Sequence, residues 1–131
     1  MIFVDTSAWF ATFVVADRHN AAATSWFSQN TIPLVTTDYI VDELLTLLQA
    51  RREYSMALQL GTLLFNEALA KLEWISEADV RAAWSVFEKY QDKGWSFTDC
   101  TSRVVMERLG ITQAFAFDEH FGQFGTVGVL P

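Results

Sequence analysis

The sequence predicts an α/β protein built on a mainly parallel sheet of about five short strands. Three observations lead there. Short apolar runs recur along the chain, near residues 1–4, 32–36, 72–75, 114–117 and 127–130. Helical patterns separate most of them, which implies parallel pairing through right-handed crossovers. The opening run, Met1-Ile2-Phe3-Val4, is apolar without alternation, as expected of a strand buried on both faces.

Each element has its own signal. After the first strand, Thr6 or Ser7 can cap a helix to about Val15. The polar stretch Ala16 to Asn20 breaks it, and a second helix follows to about Ser28. Ile32 to Thr36 reads as a strand, with Pro33 near its start, where a missing N–H is tolerable. Thr37-Asp38 opens a long helix to about Arg52, whose apolar set Ile40, Leu44, Leu47 and Leu48 repeats at helical spacing. Ser55 can cap the next helix, predicted to reach Ala70. After the strand Leu72 to Ile75, Ser76 with Asp79 forms a capping-box variant that starts a helix to about Gln91, and Gly94 supplies the C-cap. Trp95 to Cys100 leads into a helix closed by Gly110. The strand Ala114 to Phe117 ends at Asp118, and Val127 to Leu130 is the last strand.

Composition narrows the function. A chain of 131 residues, 51% apolar with eleven Phe and five Trp, is expected to form one domain, residues 1–131, around one core. Its net charge of −7 argues against a protein that grips nucleic acid through a broad basic face, though not against a nuclease. A lone cysteine, Cys100, excludes an internal disulfide and a thiolate metal site, and fits a reducing compartment. The apolar stretch Ala8 to Ala16 lacks a preceding Lys or Arg, so it is not read as a signal peptide. No stretch has the length and apolarity of a membrane span, and a cytoplasmic location is expected.

Four carboxylates stand at equivalent places. Asp5 and Asp118 follow apolar strands and emerge at the same carboxyl edge of a parallel sheet, where open α/β sheets bind ligands. Asp99 lies in the first turn of its helix, and Glu43 in the second turn of a helix that follows a strand. On the helical wheel Asp42 points to solvent, whereas Glu43 lies at the margin of the apolar stripe, where a carboxylate is costly without a partner. Each acid has a structural role open to it: Asp5 as a helix cap, Asp99 in a capping box with Ser96, Asp118 in a turn, Glu43 snorkelling to water. Their convergence on one edge favours a hard divalent cation, Mg²⁺ or Mn²⁺, held by oxygen ligands. Thr6, Ser7, Ser96 and Thr98 offer hydroxyls beside them. Trp9 and Trp95 could stack on bases. Arg18, Arg51, Arg52 and Arg103 could meet phosphate. His19 is expected in a loop or cap and His120 at the periphery.

The motifs that carry these acids are Val4-Asp5-Thr6-Ser7, Val41-Asp42-Glu43-Leu44, Phe97-Thr98-Asp99-Cys100 and Phe117-Asp118-Glu119-His120-Phe121. In this order and spacing, over essentially the whole chain, the sequence resembles the PIN-domain ribonucleases, specifically the VapC-like toxins of toxin–antitoxin pairs. The resemblance implies a PIN-like three-layer α/β/α fold and a Mg²⁺- or Mn²⁺-dependent endoribonuclease that hydrolyses RNA phosphodiesters. It implies that Asp5, Glu43, Asp99 and Asp118 are its catalytic and metal-binding residues, with Glu119 as the rival to Asp118. It also implies a homodimer and a small antitoxin protein that blocks the site. The apolar positions of Leu58 to Phe65 and Val80 to Phe87 are the expected partner surfaces. A haloacid-dehalogenase-like phosphatase would need an Asp or Thr where Ser7 stands and a late lysine, and the last lysine is Lys93. A response-regulator receiver domain would need an acidic pair at its first strand and a late lysine. A catalytically silent PIN-like RNA-binding module would not need all four acids.

Overall fold

The apolar runs form five short strands in the computed structural model, which describes Met1–Pro131: β1 (Ile2–Val4), β2 (Leu34–Thr37), β3 (Lys71–Glu73), β4 (Gln113–Phe115) and β5 (Gly128–Leu130). Between them run α1 (Thr6–Phe13), α2 (Asn20–Gln29), α3 (Asp38–Ala50), α4 (Tyr54–Phe65), α5 (Glu77–Lys89) and α6 (Phe97–Leu109). The sheet is parallel throughout, in the order β3-β2-β1-β4-β5. Ile2, Phe3 and Val4 are all buried. Successive side chains point to opposite faces, so both faces of β1 are covered. The strand order reverses at β1. The crevice between the carboxyl ends of β1 and β4 is therefore the topological switch point, where such sheets open for ligands.

Helix ends explain where the structure departs from expectation. α4 stops at Phe65 rather than Ala70, because Glu67 adopts a left-handed conformation (φ 56°) and the Ala68 N–H closes back on the Leu63 carbonyl at 2.9 Å. The Glu67 carboxylate then accepts from the Leu72 N–H at 2.9 Å, tying the helix end to β3. Arg52 (φ 59°) ends α3 in the same way, with the Glu53 N–H on the Leu48 carbonyl at 2.8 Å. Ser55 is not a cap: α4 already begins at Tyr54. α1 ends at Phe13, where the Asn20 side chain donates to the carbonyls of Ala11 (2.9 Å) and Thr12 (3.3 Å). Both capping boxes, Ser76 with Asp79 and Ser96 with Asp99, form with reciprocal hydrogen bonds.

Two tryptophans considered for base stacking are core residues. Trp9 is fully buried, and its indole donates to Thr36 Oγ1 (3.2 Å), which donates to the Val4 carbonyl (3.0 Å). The relay satisfies polar atoms that would otherwise be stranded in the core. Trp95 is buried and donates to Gln123 Oε1 at 2.9 Å. The arginines are also largely engaged. Arg103 lies over the rings of Tyr90 (4.8 Å) and Trp95 (5.5 Å) and pairs with Glu107. Arg51 lies over Phe10 at 5.7 Å. No helix is long and apolar enough to cross a membrane.

One ion pair fastens α5 to α6. Arg108 donates through both Nε and Nη2 to the buried Asp79 carboxylate, each at 2.9 Å. Burial opposes the Asp79 charge, but the Arg108 and Ser76 hydrogen bonds outweigh it and hold the carboxyl below its ordinary value. A depressed folded value means stabilisation present above the unfolded pKa and lost as pH falls through the folded one. Arg108→Ala is expected to cost about 1–2 kcal/mol at pH 7, less than a fully buried pair because Arg108 is 41% exposed. Denaturant titration should show the gap to wild type closing as the pH drops below the usual aspartate range. A gap unchanged by pH would mean that Arg108 acts through packing instead.

Candidate active site

The switch-point crevice is lined by chemistry from four elements. Asp5 ends β1, caps α1, and is buried. Its Oδ2 accepts from the Ser7 hydroxyl (2.6 Å) and the Ser7 N–H (3.1 Å). Ser7 Oγ in turn accepts from the Phe117 N–H at 2.9 Å, so one hydroxyl orients Asp5 and anchors the segment leaving β4. Burial pushes the Asp5 carboxyl up to about 7, with Asp99 and Asp118 adding to the rise and the Ser7 hydrogen bonds opposing it.

Asp99 is buried in the first turn of α6. Its Oδ2 accepts from the Ser96 N–H (3.0 Å) and from His120 Nδ1 (2.9 Å). Asp118 is half-buried and caps the 3₁₀ turn Glu119–Phe124, its Oδ1 accepting from the His120 N–H at 2.9 Å and lying 3.3 Å from His120 Nδ1. Ionised carboxylates only accept, so Nδ1 is the protonated ring nitrogen. Burial works against the charged imidazole. The Asp99 hydrogen bond and the charges of Asp118, Asp99 and Glu119 outweigh it and raise its pKa.

Glu43 is half-buried on α3 while Asp42 is exposed, as the helical wheel predicts. Burial raises the Glu43 pKa. The Thr6 hydroxyl opposes the rise, the Asp99 and Asp118 charges add to it, and Thr98 opposes it more weakly. Thr6 Oγ1 is buried and completes no well-formed hydrogen bond.

The structure thus brings Asp99, Asp118 and His120 together, with ligating atoms within 4.8 Å of one another. It sets Asp5 and Glu43 close enough for their charges to be coupled to Asp99 and Asp118. Glu119, the rival for the fourth acid, is exposed. His120 lies inside the cluster, not at its periphery. The signal for it was its place two residues after Asp118, where a tight turn folds the ring back. Of the hydroxyls, Ser7 donates to the Asp5 carboxylate, Ser96 accepts from the Asp99 backbone N–H, and Thr6 and Thr98 stand beside Glu43. Burial pushes the Cys100 thiol up to about 11, which removes it as a nucleophile.

A divalent cation fits this donor set. Carboxylate oxygens from four elements and the unsatisfied Thr6 hydroxyl are hard ligands of the kind Mg²⁺ and Mn²⁺ take. Such a group can act on a phosphoryl oxygen without a dedicated nucleophilic side chain.

Known proteins are similar to this chain in sequence and in fold. The family model described as PIN domain matches residues 2–126. The 23S rRNA-specific endonuclease VapC20 of Mycobacterium tuberculosis is 33% identical over 132 residues, covering 100% of this chain and 99% of the relative. The crystal structure of M. tuberculosis VapC20, described as a sarcin–ricin loop cleaving toxin, superposes with a TM-score of 0.93 at 29% identity, covering all of both chains. FitAcB from Neisseria gonorrhoeae superposes with a TM-score of 0.70 at 14% identity, over 100% of this chain and 97% of that one, a likeness of fold.

Proposed function

The chain belongs to the PIN-domain family, and on that premise we propose that residues 1–131 are one metal-dependent endoribonuclease domain, the toxin of a toxin–antitoxin pair. The observation that carries the reading is the coupled acid cluster at the switch point of the sheet. We assign Asp5, Glu43, Asp99 and Asp118 to hold Mg²⁺ or Mn²⁺. A bound divalent cation supplies stabilisation of charge on the phosphoryl group and activation of a water. The rest is the work of the chain. Ser7 fixes the Asp5 carboxylate, and Ser96 fixes Asp99. The buried Thr6 hydroxyl stands beside Glu43 and favours its charged form. His120 bridges Asp99 and Asp118 and keeps the two carboxylates at one spacing. Hydrolysis of a small phosphoester in place of RNA would favour a phosphatase, but no late lysine serves that chemistry here.

By its likeness to VapC20, ribosomal RNA of the large subunit is the first substrate to try, which would place the protein in the cytoplasm. A small antitoxin would cover the acids. A second copy would cover α4, where Tyr54, Leu58 and Phe65 are exposed at 57%, 76% and 51%. Purified protein freed of antitoxin is expected to cut total cellular RNA into discrete fragments with Mn²⁺ or Mg²⁺, and to stop with EDTA. Cleavage that survives EDTA would reject the reading. Sedimentation of the same preparation as a monomer at high micromolar concentration would remove the dimer.

A further inference from the structure

With Trp9 and Trp95 buried, a different set of rings reaches the surface next to the acids. Phe97 is the first residue of α6, two positions before Asp99. Its ring lies 6.5 Å from Tyr39, which sits one helical turn before Glu43 on α3. On the other side it meets Phe87 edge-on at 5.9 Å, and Phe87 stacks with Trp84 at 5.8 Å. Trp84 is 54% exposed. Together these rings form a row from Tyr39 through Phe97 and Phe87 to Trp84 on α5, its first two members on the helices that carry Glu43 and Asp99. The row borders an open groove of about 590 Å³ lined by Glu77, Val80, Arg81, Trp84 and Phe97.

We propose that this groove is a binding subsite for an unpaired base of the RNA, stacked on Trp84 beside the scissile phosphodiester; the proposal rests on the ribonuclease reading above. Two features select a base over other occupants. A chain of net charge −7 gains little from the phosphate backbone, so base contacts must supply much of the affinity. Exposed ring faces next to a guanidinium are how single-stranded nucleic acid is held, and every base has a face to stack. Arg81 is available for this role, because its pair with Glu77 is solvent-exposed on both sides (77% and 81%) and is weakly held. Phe97, which lines the groove, stands two positions before Asp99 in the first turn of α6, so the groove is placed to take a nucleotide flanking the cleaved bond.

The test is steady-state cleavage of an RNA hairpin carrying the sarcin–ricin loop of 23S rRNA, intact or with one abasic nucleotide at successive loop positions. Trp84→Ala is expected to raise KM about tenfold, with the loss in KM rather than in kcat. Trp84→Phe should restore most of it, which a merely structural defect would not allow. One abasic position should raise KM for wild type by a similar factor and add nothing in Trp84→Ala. An unchanged KM in Trp84→Ala, or no sensitive abasic position, overturns the subsite while leaving the ribonuclease standing. Loss of antitoxin binding or of dimer mass in Trp84→Ala, with KM for RNA unchanged, would give the face to a protein partner and equally overturns it. A wild-type protein that cuts neither this hairpin nor total RNA defeats the functional reading and the subsite together.

Discussion

Replacing Asp99 by Asn is expected to lower RNA cleavage on the order of a thousandfold while leaving the fold in place. Asn keeps an oxygen that accepts from the Ser96 N–H, so the cap of α6 survives. It loses the charge that pairs with His120 and, on our assignment, holds the cation. Phosphoryl stabilisation by a bound cation amounts to several kcal/mol, and each 1.4 kcal/mol is about tenfold in rate. Glu43→Gln should fall in the same direction. Asp42→Ala should cut like wild type, since Asp42 is exposed and turned away from the apolar stripe. Single-turnover rates with melting curves alongside would separate chemistry from stability. Equal rates for all three variants would dismiss the acid cluster as the reaction centre.

Phe121→Ala is expected to produce the largest loss of stability, about 3–5 kcal/mol. The ring is fully buried, stacked on Phe3 at 6.0 Å and tilted against Phe124 at 4.9 Å. Phe124 meets Trp95 edge-on at 5.0 Å, and Trp95 packs on Tyr90 at 4.8 Å. This line of rings seats the Glu119–Phe124 turn against β1 and the start of α6. The same turn is capped by Asp118 and carries His120. The variant should therefore cut poorly even under conditions where it stays folded, whereas Phe121→Leu should retain most of both properties. Denaturant unfolding and cleavage at matched folded fraction would measure this. A variant less than 1 kcal/mol below wild type would show that the site refills without the ring.

The order of elements was legible because it rests on local signals. Uninterrupted apolar runs, the stripe from Ile40 to Leu48, the Ser76 and Ser96 capping boxes and the glycines at 94 and 110 act within a few residues. Both glycines adopt left-handed φ (70° and 67°), Gly110 as the cap of α6; Gly94 closes a 3₁₀ turn, Gln91–Lys93, rather than α5, which ends at Lys89. The end of α3 near Arg52 was legible, but the end of α4 at Glu67 was not, since Glu does not advertise a left-handed turn and the hydrogen bond that rewards it comes from β3. Among the acids, the separation of Asp42 from Glu43 followed from helical periodicity alone. The depth of each carboxylate did not: Asp5 is buried and raised to about 7 only because sheet, α1 and two other acids close around it.

What the sequence determined by itself was the order of elements and their parallel pairing, which delivers strand ends and helix starts to one edge; the strand order β3-β2-β1-β4-β5 came from the tertiary structure. Distances across that edge join residues far apart in the chain, which no local pattern records. Ser7 reaches the Phe117 N–H across 110 positions, and His120 reaches Asp99 across 21. Only the tertiary structure decided which tryptophans are core and which ring faces solvent. A ring is buried when another element packs over it, as at Trp9, and exposed when none does, as at Trp84.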